Sequence, residues 1–444
     1  MSAKLGIGII GCGAVGSAVA QILLTRRQAL AERTGIELEL RHVVVKHTEK
    51  KRPVSLPAGI LSNELSRPLT DPDTHLIVEL IGGADEAFIL TLEALRLEKD
   101  VVTANKALLA LRGRTLFAAA RESGRCIAFE AAVGGGIPLI ESIRRGLIAN
   151  DIEAVYGILN GTANYILTRM LEDQITYAEA LAEAQTLGYA EADPTLDVSG
   201  ADAAHKLAIL ASLAMRRACD FDRIPVRGIT DLQVTDLIAG QELGYVCKLL
   251  AVARRHDDEL DLSVQPTFIR RSHPLANVAG PFNAVSVYGD AVGHILFYGR
   301  GAGGLPTASA VVADIVDVAS GNAARSFSQF VQLPDQTAPA AYRPPGENKT
   351  AFYIRVGLLD RPGGIAEIAA VLGRRGISIA SVVQHEPHET HDDDDGVPVV
   401  VMTRPTPERT ARAAVDDMGK LDVVLGPVVS IPALDEHVEP RQDN

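Results

Sequence analysis

LGIGIIGCGAVG, residues 5–16, joins an uncharged apolar run to three glycines in GxGxxG register. Leu5 to Ile10 has the continuous apolar character of a strand buried on both faces. Gly11, Gly13 and Gly16 then fall where such a strand ends and a helix begins. From Leu5 to Leu24 no residue is charged, and with Lys4 ahead the stretch imitates a signal peptide or a membrane span. The glycine spacing argues against both, and no other stretch is long and apolar enough to cross a bilayer.

The residues that follow repeat the strand-then-helix theme. Short apolar runs at Val43–Val45, Leu76–Ile81, Val101–Thr103 and Cys126–Phe129 are separated by helical patterns. One of these, between Ala84 and Lys99, sets Phe88, Leu92 and Leu95 on one face. Such alternation predicts a parallel, doubly wound sheet of the Rossmann type over residues 1–133. From residue 134 to 304 the pattern changes to longer helices, including Ala201–Met215, and isolated strands at Val155–Leu159, Leu260–Pro266 and Val285–Tyr288, as in an α+β substrate-binding and dimerisation domain. The apolar helical pattern within 305–320 is expected to return and cover the first domain. Residues 332–349, with Pro334, Pro339, Pro344 and Pro345, have linker composition. Residues 350–432 then read β-α-β-β-α-β, with strands Ala351–Leu358, Ser378–His385, Val397–Thr403 and Val423–Ile431 and helices Ile365–Arg374 and Pro407–Leu421. This order implies a small ferredoxin-like domain.

Composition narrows the function. A chain of 444 residues favours two or three domains. With 56 acidic and 43 basic side chains the formal charge is −13, which disfavours nucleic acid and anionic membranes as partners and favours a small-molecule substrate. Cys12, Cys126, Cys219 and Cys247 are dispersed, without a CxxC pair, so neither a disulfide framework nor a zinc site is indicated and a reducing cytoplasm fits.

Several residues stand out chemically. The glycine loop, with Ala14 and Val15 between its last two glycines, is placed to cradle a dinucleotide pyrophosphate at a helix N-terminus; the competing reading is a plain tight turn. An NAD site usually has an acidic residue after the second strand. Here Lys46 is followed by His47, Lys50, Lys51 and Arg52, cations suited to a 2′-phosphate, so NADP is preferred and NAD remains open. Val101-Val102-Thr103-Ala104-Asn105-Lys106 runs into a polar turn at the sheet's C-terminal edge, where ligands of open sheets bind. Glu130, followed by Gly134-Gly135-Gly136, offers a carboxylate and closely approachable carbonyls, a donor set suited to sodium or another alkali cation. Glu191, Asp193, Asp197 and Asp202 crowd ahead of Lys206, and Asp202 and Lys206 share a helix face four residues apart. Carboxylates for an ammonium group beside a lysine for a reacting oxygen would suit a zwitterionic substrate. His385, His388, His391 and Asp392–Asp395 are read as a solvated acidic hairpin in preference to a metal site.

Six ordered stretches together resemble the homoserine dehydrogenases: GIIGCGAVG, VTANK ending at Lys106, FEAAVGGGIP from Phe129, GILNGTANYIL from Gly157, GYAEADPTLDVSGADAAHK ending at Lys206, and GRGAGGLPTASAVVADI from Gly299. The tail resembles an ACT domain, with Asp360-Arg361-Pro362-Gly363 in its first turn. Lys46 stands where an arginine is usual, and Arg300 where proline is frequent. The resemblance implies reversible NAD(P)H-dependent reduction of L-aspartate 4-semialdehyde to L-homoserine, on the route to threonine, methionine and isoleucine. It implies Lys206 as proton donor, with Lys106 assisting. Glu191, Asp197 and Asp202 would hold the substrate ammonium or orient Lys206, and Asn160, Gly161 and Thr162 would line the same pocket. The cofactor would also meet Gly82, Thr103 and Gly303. An alkali ion would take Glu130, by side chain or carbonyl, with carbonyls of Val133, Gly135 and Ile137. The expected assembly is a homodimer or homotetramer in the cytoplasm, with threonine as the expected effector. The competing reading from another class, a non-catalytic amino-acid sensor, is disfavoured by Glu191, Asp202, Lys106 and Lys206 occurring together. Aspartate-semialdehyde dehydrogenase chemistry needs a nucleophilic cysteine that none of the four is placed to supply.

Overall fold

The computed structural model describes residues 3–384 and 396–434. Its first layer is a six-stranded, wholly parallel sheet formed by β1 (Ala3–Ile10), β2 (Ile36–Val44), β3 (Leu61–Ser62), β4 (Leu76–Glu79), β5 (Asp100–Thr103) and β6 (Ile127–Ala128), in the order β3-β2-β1-β4-β5-β6. Strand order reverses between β1 and β4, so a crevice opens at the C-terminal end of β1, beside the glycine loop. Ile7, Ile9, Val78 and Val101 are fully buried, as a sheet covered on both faces requires. The covering helices are α1 (Ala14–Thr25), α2 (Arg27–Thr34), α3 (Ser66–Thr70), α4 (Asp85–Arg96) and α5 (Lys106–Glu122).

Two expectations shift here. The strand expected over Leu76–Ile81 stops at Glu79, because the Glu79 carboxylate takes the Ile81 amide and turns the chain. On α4 the buried stripe is Ala87, Leu90, Thr91, Ala94 and Leu95, while Phe88 and Leu92 lie at its margin and Phe88 packs under the Arg112 guanidinium.

After a short helical passage that includes α6 (Leu139–Glu141), the chain enters a second sheet. Its strands β7 (Ile152–Ile158), β8 (Tyr245–His256), β9 (Glu259–Arg270), β10 (Phe282–Gly289) and β11 (Gly293–Arg300) run in the order β11-β10-β7-β8-β9. Between β7 and β8 lie α7 (Gly161–Glu172), α8 (Tyr177–Thr186), α9 (Thr195–Val198), α10 (Ala201–Met215) and α11 (Val234–Glu242). From β11 the chain passes through α12 (Gly304–Ala319) and α13 (Asn322–Gln329). A Cβ on Gly304 would lie 3.0 Å from the Ala14 carbonyl, so α12 starts hard against the first helix of the parallel sheet.

The C-terminal part follows the short β12 (Ala341–Tyr342). It comprises β13 (Lys349–Leu358), α14 (Gly364–Arg374), β14 (Ile379–Gln384), β15 (Val397–Thr403), β16 (Thr406–Pro407), α15 (Glu408–Met418) and β17 (Val424–Leu434). Its four main strands do not close a separate sheet. Strand β17 runs parallel to β9 through Ala433 with Phe268 and Leu434 with Ile269, which makes one continuous eleven-stranded sheet. The seam is reinforced by a buried ion pair. Asp236 of α11, with no exposed surface, accepts from Arg355 Nε at 2.6 Å and from the Tyr353 hydroxyl at 2.9 Å. His385, His388, His391 and Asp392–Asp395 lie outside the described residues. Among the described residues no helix is long and apolar enough to cross a membrane.

Removing one partner of a buried pair strands the other in a poorly solvated place. Asp236→Ala is therefore expected to cost about 3 kcal/mol in urea unfolding. Asp236→Asn, which keeps an acceptor, is expected to cost less; equal losses would locate the stabilisation elsewhere.

Candidate active site

The three glycines of the first loop have separate tasks. Gly11 takes φ +101, and a Cβ there would sit 2.4 Å from the Leu80 carbonyl. A Cβ on Gly16 would fall 2.1 Å from the Gly11 carbonyl, so that glycine lets helix and loop touch. Gly13, the N-cap of α1, faces open space. Its neighbours Ala14, exposed, and Val15, half-buried, complete a helix N-terminus whose amides can meet an anion. The loop forms one wall of a cleft of about 970 Å³, bounded elsewhere by Val45, Lys46, Lys50, Ile81 and Leu90. This cradle fits a dinucleotide.

The second strand ends as the sequence reading requires, but its cation is engaged. Lys46 Nζ lies 2.8 Å from Glu86 at the exposed cleft mouth, and the Arg52 guanidinium donates to the carbonyls of His47, Thr48 and Lys50. Lys50 and Lys51 line the same cleft. Thr103 is fully buried and its hydroxyl donates to Glu79 at 2.6 Å, so its side chain supports the loop and does not face a ligand. Gly82, at φ +73, sits on the exposed turn after β4. Gly303, at φ +116, precedes α12, next to the glycine that abuts Ala14.

Beside this cleft the N-termini of α5, α7 and α10 converge. Asn160 caps α7 by accepting from the Ala163 amide at 2.7 Å, and its Nδ2 reaches Asp197 Oδ1 at 2.7 Å and Asp202 Oδ2 at 2.8 Å. Asp202 Oδ1 lies 3.1 Å from Lys106 Nζ, and its Oδ2 lies 2.7 Å from Lys206 Nζ. Lys206 also donates to the Leu159 carbonyl at 2.7 Å. One carboxylate, 5% exposed, thus stands between two ammonium groups from different layers. Burial alone would push Asp202 up, yet Lys206 and Lys106 outweigh it and hold its carboxyl well below the usual range. Burial opposes the charge of Lys106 too, but Asp202 raises it overall, helped by Asp197 and Glu191. Asp197 is pushed up by burial and by the Asp202 charge.

The remaining pocket residues differ in accessibility. Glu191 is exposed and acts on Lys106 through space. Gly161 is needed for close packing, since a Cβ there would meet the Pro281 carbonyl at 2.8 Å. The Thr162 hydroxyl donates to the Tyr189 carbonyl at 2.7 Å. Asp202 itself is engaged by Lys106, Lys206 and Asn160.

Around the 130–137 turn the Glu130 side chain has local partners. Both Glu130 carboxylate oxygens are occupied, by the amides of Ile140 at 2.9 Å and Glu141 at 2.8 Å. Its side chain thus caps the start of α6. The Ile137 carbonyl also accepts from the Leu139 amide at 2.8 Å. Three of the cysteines are poor nucleophiles: burial pushes the thiols of Cys219 and Cys247 up to about 12 and that of Cys126 higher still.

Some supporting groups were not singled out from sequence. Lys248, buried on β8, donates to the Val278 carbonyl at 2.6 Å and to Asn164 at 3.1 Å, and burial lowers its pKa to about 8. Asn283 donates to the Leu159 carbonyl that also receives Lys206. Glu79 anchors Thr103. No motif flags these residues, because each matters through partners distant in sequence.

A dinucleotide cleft beside two lysines bridged by one buried carboxylate fits an NAD(P)-dependent oxidoreductase. Comparison with known proteins narrows the class. Residues 138–316 match the family model "Homoserine dehydrogenase", 11–130 match "Homoserine dehydrogenase, NAD binding domain", and 352–419 match "ACT domain". A homoserine dehydrogenase of Pseudomonas aeruginosa is 42% identical over 96% of this chain and 98% of its own length. The crystal structure of a homoserine dehydrogenase from Thiobacillus denitrificans aligns with TM-score 0.90 and 40% identity, covering 97% and 98% of the two chains. A hyperthermophilic archaeal homoserine dehydrogenase mutant, solved in complex with NADPH, aligns with TM-score 0.60 and 25% identity over 71% of this chain and 97% of its own. The chain belongs to the homoserine dehydrogenase family, NAD(P)-dependent enzymes that interconvert L-aspartate 4-semialdehyde and L-homoserine.

Asp202→Asn removes the charge that raises Lys106. Lys106 then gives up its proton at lower pH, so the alkaline limb of the kcat/KM profile for semialdehyde reduction is expected to move to lower pH. An unmoved limb would mean that Lys106 does not report on the reaction.

Proposed function

We propose that Lys206 is the proton donor to the semialdehyde oxygen in this chain and that Lys106 assists it across the cofactor cleft. The observation that carries this reading is the single Asp202 carboxylate bridging both ammonium groups at 3.1 and 2.7 Å. When bound, the nicotinamide supplies the hydride. The substrate oxygen then gains negative charge, and Lys206 gives it the proton held at Nζ; in the reverse direction Lys206 takes that proton from homoserine. Asp202 keeps the two lysines in register, and Asn160 holds Asp202 and Asp197 together. Asp197, with Glu191 at the rim, would receive the substrate ammonium, within a pocket lined by Gly161 and Thr162.

NADP is the preferred cofactor in this reading. Lys50 and Lys51 on the cleft wall suit a 2′-phosphate, and Lys46 can exchange a weak exposed pair with Glu86 for a phosphate contact. Gly11, Gly13, Ala14, Val15 and Gly16 would meet the pyrophosphate, and the Gly82 and Gly303 turns the nicotinamide half. Sodium or another alkali cation would take the carbonyls of Glu130, Val133, Gly135 and Ile137. Burial pushes the neighbouring carboxyls of Glu130 and Asp314 upward, a cost that a cation would offset. A homodimer or homotetramer fits the open edge strands β11 and β14, and cytoplasmic residence fits four unpaired cysteines.

Lys206→Met is expected to lower kcat for NADPH oxidation with aspartate semialdehyde by about a hundredfold or more. NADPH binding, read by fluorescence titration, should change little. Retention of more than about a tenth of wild-type kcat contradicts a general-acid role.

Threonine is the proposed effector, bound at the exposed turn Asp360-Arg361-Pro362-Gly363-Gly364, where a carboxylate stands before a helix N-terminus. Because β17 and Asp236 fuse this domain to the central sheet, intact chains are the proper test. Threonine is expected to inhibit the wild type, with at least about a tenfold higher inhibitory concentration for Asp360→Ala. Equal inhibition of both would place the effector elsewhere, and no inhibition at millimolar threonine would exclude threonine.

A further inference from the structure

Glu79, the last residue of β4, is fully buried beneath the cofactor-side turn. A carboxylate in such a place is costly unless its oxygens are occupied. Both are: Oε1 accepts from the Ile81 amide at 2.9 Å and Oε2 from the Thr103 hydroxyl at 2.6 Å. Burial pushes this carboxyl up, and those two bonds oppose the push.

The bonds continue toward the reacting centre. The Thr103 hydroxyl accepts from the Asn105 amide at 3.0 Å. Asn105 Nδ2 donates back to the Gly83 carbonyl at 2.6 Å, while its Oδ1 caps α5 through the Leu108 amide at 3.0 Å. Lys106 is the first residue of α5, and its ammonium meets Asp202. The network therefore clamps the turn at 81–83, whose Ile81 lines the cofactor cleft, to the base of the lysine. Gly82 and Gly83, at φ +73 and +71, give that turn no stiffness of their own. Its geometry depends on the clamp.

We propose that Glu79 is a positioning residue that sets Lys106 through Thr103 and Asn105 and holds the cofactor-side turn in the same register. The proposal rests on the reading of Lys106 given above and extends it to a group that touches neither substrate nor cofactor. A carboxylate suits the task because it accepts from an amide and from a hydroxyl through separate oxygens. Leucine of similar size can do neither, and Thr103→Val removes the hydroxyl link while keeping the side-chain shape.

The test compares Glu79→Leu and Thr103→Val in the wild-type and Lys106→Ala backgrounds, with NADPH titrated by fluorescence throughout. Each substitution is expected to lower kcat at least about fivefold in the wild type and less than about twofold where Lys106 is already absent. NADPH binding should weaken in both backgrounds. Equal loss of kcat in the two backgrounds overturns the proposal while leaving Lys106 its role. A Lys106→Ala enzyme with wild-type kcat overturns that role, and the proposal with it. Unchanged NADPH affinity overturns the clamp on the turn. Thr103→Val, which keeps the buried volume, decides the matter if Glu79→Leu fails to fold.

Discussion

The Asp202 carboxylate between Lys106 and Lys206 is the interaction on which the arrangement of the chain turns. Two ammonium groups this close repel, and each loses solvation as the pocket closes around it. A single buried anion resolves both problems. It can do so only if α5, carried by the parallel sheet, and α10, carried by the second sheet, pack side by side with their N-termini together. A glycine contact serves the joining of the layers: Gly304 on Ala14 removes a Cβ that would hold α12 away from the first helix of the parallel sheet.

The second sheet extends the same logic to the C-terminal region. A free ferredoxin-like unit would expose the edge of β17, and β9 would expose its own. Pairing them in parallel at Ala433 and Leu434 joins the two edges there, and the Asp236–Arg355–Tyr353 cluster fixes the join. Helix α11, which carries Asp236, packs on α7, whose cap Asn160 holds Asp202. Packed elements thus run continuously from the C-terminal domain to Lys106 and Lys206.

Much of this was legible in the sequence, because the signals were local. The strand-then-glycine pattern at residues 5–16, the helix Ala201–Met215 with its i, i+4 acid and lysine, and the β-α-β-β-α-β order after residue 350 each depend on neighbours a few positions away. Periodicity and turn chemistry therefore sufficed for them. The six motifs with their order carried the family.

What only the tertiary structure decided concerns how buried charge is satisfied, since that depends on partners brought together from distant segments. Sequence placed Asp202 among residues that hold a substrate ammonium or orient Lys206; packing sets it between two lysines. Sequence offered Glu130 to a cation by side chain or carbonyl; folding gives the side chain the Ile140 and Glu141 amides as partners. Thr103 was expected beside the cofactor; folding turns its hydroxyl inward to Glu79, itself unremarked in the sequence because a lone glutamate at a strand end looks like surface. The fold class follows from the order of apolar and polar residues along the chain. The role of each polar side chain within it follows from which donors and acceptors burial leaves within about 3 Å.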